Sequence, residues 1–171
     1  MKHFKKKLAL FLIPLVRYGE ARIFFKVRRL LYKQVLKRVG ISLFVSPGVF
    51  LNEPENMVIG DNVSIQHFCF ISAYGGVKIG SDVSIAMGTK IFSSSHPYSD
   101  PEIKIKYGKL IRNPVEIGNN VWLGAGVIIT GGMRVGSGVV VGAGSVVTKD
   151  LKDDGVYAGV PAKFIKSRFS K

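Results

Sequence analysis

The chain has 171 residues, 47% of them hydrophobic, and a formal net charge of +14, which suits one globular domain with a core of its own. Its single cysteine, Cys69, excludes an intrachain disulfide and fits a reducing, cytoplasmic compartment. The charge is uneven: twelve Lys and Arg before Gly40 face only Glu20, a balance of +11, so a near-neutral domain follows a basic leader.

The leader opens with "KKKLALFLIPLVRYGEAR", a positive start followed by apolar residues from Leu8 to Val16. That stretch falls short of the roughly 20 residues a bilayer span needs. Arg17 and Tyr18 follow where a secretory signal would place small residues for cleavage. From Glu20 to Val39 the pattern predicts a helix, with Phe24, Val27, Leu31 and Val35 at spacings of three and four. Ile23 and Leu30 lie beside that stripe. Lys26, Arg29, Lys33 and Lys37 take another face, and Gly40 is the expected stop. Two readings stay open: a helix lying peripherally on an anionic membrane, or one packed on its own domain with a solvated basic face. No nucleic-acid motif accompanies the charge, so nucleic acid is not an expected partner.

From Ile117 the chain divides into sixes: IGNNVW, LGAGVI, ITGGMR, VGSGVV, VGAGSV, VTKDLK. An aliphatic residue opens every unit, and glycine stands second in four of the six. IGDNVS, IQHFCF, IGSDVS, IAMGTK and IFSSSH carry the pattern upstream, between residues 59 and 96. A period of six marks a β-solenoid of hexapeptides, in which stacked coils bury a column that no single unit could bury. Gly and Asn at the second to fourth places suit corners that need positive φ. An antiparallel barrel would alternate with period two, and a flexible linker would lack the aliphatic position.

In "PVEIGNNVWLGAGVIITGGMRVGSGVVVGAGSVVTKDL" and "YAGVPAKFIK" the chain resembles the hexapeptide-repeat acyltransferases. Within them it is most similar to the maltose, galactoside and polysaccharide O-acetyltransferases, over roughly 58–166. The resemblance implies a mainly β fold, a left-handed parallel β-helix over 41–171. The basic amphipathic helical segment of 1–40 precedes it. A homotrimer is implied as well, with acetyl-CoA in a cleft between neighbouring prisms.

The repeat breaks at "IFSSSHPYSD". The resemblance makes His96, directly before Pro97, the catalytic histidine at the start of an excursion loop spanning about 97–112. A neutral imidazole can take the proton of an attacking sugar hydroxyl, a step that contributes about 10² to 10⁴ in rate. The same resemblance assigns the backbone N–H of Ala125 to the tetrahedral oxyanion. It lines the cofactor site with Trp122 and lays pantetheine along Ala143 and Gly144. Thr148 and Lys149 border the groove, and Lys163 and Lys166 stand near the nucleotide phosphates. Each has a plainer alternative: Trp122 as an aromatic cap on the coil, and the lysines as a solvated tail. His67 and Tyr74 are the candidate acceptor contacts, with His67 otherwise a surface position on the solenoid. The leader departs from the maltose enzymes, whose helical cap is acidic or mixed in charge.

The expected activity is transfer of acetyl from acetyl-CoA to a hydroxyl of a saccharide, in surface-polysaccharide assembly on free or lipid-linked glycan. N-acetylation of a nucleotide-linked amino sugar is the alternative, since an amine must also lose a proton. A zinc lyase on this fold would need three histidine ligands, and only His67 and His96 fall in the repeat; no metal is expected. A scaffold without catalysis would not need His96, Trp122 and "GAGSVVTKD" together.

Overall fold

A computed structural model describes residues 2–99 and 101–169. Met1, Asp100, Ser170 and Lys171 lie outside the described residues, at the ends of the leader and tail and within the excursion loop. Two helices, α1 (Lys2–Val16) and α2 (Arg22–Val35), precede a parallel β-solenoid of about six coils. The helix expected to run to Val39 ends at Val35, where Leu36 turns extended at φ −64, ψ 144. The chain starts the solenoid there instead: Arg38–Val39 pairs with Val58–Ile59, and the N–H of Gly40 donates to Ile59 at 3.0 Å. Gly40 is therefore the first corner of the solenoid and not the end of a helix.

The solenoid has three faces. Arg38–Val39, Met57–Ile59, Val77–Ile79, Val115–Ile117 and Arg134–Val135 stack on the first. On the second are Phe44–Val45, Ser64–Ile65, Ser84–Ile85, Trp122–Leu123, Val140–Val141 and Gly155–Ala158. The third holds Phe50–Asn52, Phe70–Ser72, Lys90–Phe92, Ile128–Ile129 and Val146–Val147. Side chains alternate along each strand, so the two-residue strands of the solenoid turn one aliphatic residue inward, and Met57–Ile59, Val77–Ile79 and Val115–Ile117 turn two. Val45, Ile65, Ile85, Leu123 and Val141 form one buried column, and Leu51, Ile71, Ile91, Ile129 and Val147 another. Ile59, Ile79, Ile117 and Val135 form the matching column on the first face, and the three columns are the repeating aliphatic position of the sequence and the centre of the core.

The period is less regular than six. Arg38 pairs with Val58 and Val58 with Lys78, a step of 20 residues, whereas Glu116 pairs with Arg134, a step of 18. The extra residues fall at the corner between the third and first faces, in "NEPENM" and "SAYGGV". The same corner of the third coil carries the excursion loop, so the loop enlarges a corner that is already wide. Its base is a short antiparallel ladder of Ser94–Ser95 with Ile111–Arg112. At the far end, Lys163–Ser167 folds back antiparallel on Gly155–Ala158 and closes the second face.

Candidate active site

The corner between the second and third faces is built from one turn, repeated. In the fourth coil the N–H of Val127 donates to Gly124 at 3.3 Å, and Gly126 has φ +69, which makes Gly124–Val127 a type II turn. Gly144 repeats this at φ +69 in the fifth coil. A Cβ on either glycine would meet nothing within 4 Å, so backbone conformation and not space selects glycine there. The third residue of each turn donates to the coil before: Gly126 to Met87 and Gly144 to Ala125, both at 2.8 Å. The second residue, Ala125 or Ala143, is exposed, and among the described residues neither N–H has an acceptor. In the fourth and fifth coils the edge thus presents small side chains and outward amide donors, whereas the second and third coils place His67 and Met87 at the same turn position. Trp122, 55% exposed on the adjoining strand, flanks it. Lys163 pairs with Ala158 at the end of this edge, while Lys166 pairs with Val156, farther from the corner.

His96 occupies the other edge of the third face. Ser93 anchors the loop base, donating from Oγ to the Ser72 carbonyl and accepting from the Gly75 N–H, each at 2.9 Å. Asn113, where the loop returns, donates from Nδ2 to Ser95 Oγ at 2.8 Å. His96 itself is exposed, with Nδ1 3.1 Å from the carbonyl oxygen of Ile105. A carbonyl only accepts, so in the neutral imidazole Nδ1 carries the proton and Nε2 the lone pair. The imidazole is therefore held in the tautomer a general base needs. Beneath the loop lies a cleft of about 520 Å³ lined by Phe92, Ser95, Tyr98, Asn113, Thr130 and Met133, among others.

The structure sorts the expected site residues into two groups. Trp122, Ala125, Ala143, Gly144 and Lys163 share the edge between second and third faces, and His67 lies on it two coils earlier, in the turn position of Ala125. His96, Tyr74, Thr148 and Lys149 lie at the edge between third and first faces. Tyr74 there receives the Arg112 guanidinium over its ring at 5.0 Å. The two edges are a strand apart, roughly 15 Å at about 3.3 Å per residue. Within one chain His96 and Ala125 do not meet, and neither do Tyr74 and His67.

Sequence reasoning missed Ser93, Ser95, Asn113 and the Ile105 carbonyl. The three serines and the Asn113–Pro114 junction signal where the loop leaves and returns, but not which of them hold it. Cys69 is buried, its Sγ donating to the Ala86 carbonyl at 3.1 Å, and burial pushes the thiol up to about 11. It is a packed thiol, not a nucleophile.

Residues 114–149 match the family "Bacterial transferase hexapeptide (six repeats)". The chain is 37% identical over 139 residues to the galactoside O-acetyltransferase of Escherichia coli (strain K12), covering 81% of this chain and 68% of that protein. Among solved structures it is similar to a maltose O-acetyltransferase from Clostridium difficile 630, with TM-score 0.86 and 31% identity over 97% of this chain and 87% of that one. It is also similar to a galactoside acetyltransferase in complex with coenzyme A, with TM-score 0.85 and 32% identity over 97% and 82% of the two chains.

Proposed function

The chain belongs to the hexapeptide-repeat acetyltransferases, and we propose that it acetylates a saccharide hydroxyl at a site shared between subunits, with His96 as the base. The observation that carries this is the His96–Ile105 hydrogen bond, which leaves Nε2 free to accept a proton. The acceptor hydroxyl gives its proton to Nε2 as its oxygen bonds to the thioester carbon. The outward N–H of Ala125 receives the negative charge that develops on the carbonyl oxygen. Collapse breaks the C–S bond, and the imidazolium returns the proton to the departing thiolate. In the fourth and fifth coils the edge of Trp122, Ala125, Ala143 and Gly144 suits an extended pantetheine arm: its turns present only alanine and glycine outward, with the N–H groups of Ala125 and Ala143 as donors. Lys163 is placed to attract a phosphate as a point charge.

The separation of the two edges supports a trimer. If the third face of one prism adjoins the next, the His96 edge of one chain faces the Ala125 edge of its neighbour. The relatives' names support a sugar acceptor. The basic leader supports a surface polysaccharide or its lipid-linked precursor, met at the cytoplasmic membrane face.

Thiol release from acetyl-CoA, measured with a panel of free sugars, amino sugars and nucleotide-linked sugars, tests the reading. Release that depends on a sugar hydroxyl is expected. Release only with amine acceptors would replace it with N-acetylation.

A further inference from the structure

We propose that α1 lies in the plane of an anionic bilayer surface, with Phe4, Leu8, Phe11 and Leu15 buried among the acyl chains. These residues follow one another at spacings of four, three and four, so they form one stripe along the helix. All four are exposed, Phe11 and Leu15 by 70% and 69%. Ala9 and Ile13, on the opposite side of the same helix, are buried in the core. A helix that only covered its own domain would be polar on its outer face; α1 is apolar on both. Among the described residues no helix is long and apolar enough to cross a membrane, so the stripe fits a helix lying in the interface.

The surrounding charge specifies the partner. Lys5 and Lys7 are exposed on α1. On α2, Lys26 and Lys33 are exposed beside exposed Ile23 and Leu30. Glu20 is the only acid before Gly40. Apolar residues ringed by lysines match an anionic headgroup layer over acyl chains, where each cation near the surface adds to binding. A neutral protein groove would leave the lysines without partners. The proposal rests on the saccharide reading only in that it would bring the site to a lipid-linked acceptor; the binding itself is independent of catalysis.

The test is flotation of the full chain with phosphatidylcholine vesicles containing phosphatidylglycerol, and with phosphatidylcholine alone. The wild type should float with the anionic vesicles only, and release as salt is raised. The double variant Phe11→Ser, Leu15→Ser should lose at least about tenfold in vesicle affinity, and Lys5→Gln, Lys7→Gln should weaken binding to anionic vesicles. Both should keep the wild-type melting profile and the wild-type turnover on a water-soluble acceptor, which separates loss of docking from loss of chemistry. The proposal is overturned if the wild type does not float, or if the serine variant floats as well as the wild type. Equal flotation with neutral vesicles also overturns it. So does a lipid-free assembly that the serine variant dissolves, because a second copy would then cover the stripe.

Discussion

The N–H of Gly48 donates to the carbonyl of Arg17 at 2.9 Å. In the second to fifth coils the equivalent turn donor finds the preceding coil: Phe68 reaches Pro47, Gly88 reaches His67, Gly126 reaches Met87 and Gly144 reaches Ala125. The first coil has none before it, and the end of α1 supplies the missing acceptor. The helical hairpin therefore completes the ladder that an open solenoid end would leave unpaired.

Arg28 holds that cap in place. It is 1% exposed, and it donates to Val45 of the first coil at 3.0 Å, to Val16 at the end of α1 at 2.9 Å and to Gly19 just beyond it at 2.6 Å. Arg28→Ala should cost about 3 kcal/mol or more, since it strands buried carbonyls. Hydrogen exchange should show loss of protection first at Gly48 and in α1. Arg28→Lys should recover only part of this, because an ammonium cannot span both elements as the fork does.

His96→Ala should lower kcat by about two to four orders of magnitude. The ring is exposed and outside the aliphatic columns, so the melting temperature and acetyl-CoA binding should stay near wild type. His67→Ala should be much milder. An unchanged kcat in His96→Ala would remove the base assignment.

Ala125→Pro isolates the oxyanion donor. Pro47 already occupies the equivalent turn position in the first coil, followed by Gly48 at φ +71, so the fold accepts proline there. The substitution removes the outward N–H and leaves the rung from Gly126 to Met87 in place. A fall in kcat of about 10² to 10³ is expected, with little change in melting temperature. Ala125→Ser, which keeps the N–H, should retain most activity.

Burial raises the Cys69 thiol to about 11 and the Tyr32 phenol to about 12. In the unfolded chain these groups lose their protons at lower pH than in the folded one. The unfolded state then binds fewer protons, and stability falls as pH rises from near the ordinary thiol value through about 12. Denaturant melts across that range should show the decline. Cys69→Val should remove its lower part, since Val49 and Val127 occupy the same column. The native thiol should resist alkylation at pH 8, and unfolded protein should react readily.

The sequence by itself determined the solenoid, its core and the position of its one large interruption. Ile65, Ile85 and Leu123 can be read as a stack because each coil repeats the same local geometry, and a periodic pattern carries that without long-range information. His96 stood out for the complementary reason, as a polar residue where the period stops. Only the tertiary structure decided which edge each residue occupies. Ala143 and Thr148 are five residues apart yet sit on opposite edges of the third face, because the strand Val146–Val147 runs between them. The extra corner residues that shift the first coils to a period of 20 are invisible to a count by sixes. Arg28 read as one more cation of a basic helix. Its burial depends on carbonyls at Val16, Gly19 and Val45, which come together only when two helices and a coil are packed, and no local pattern encodes that meeting.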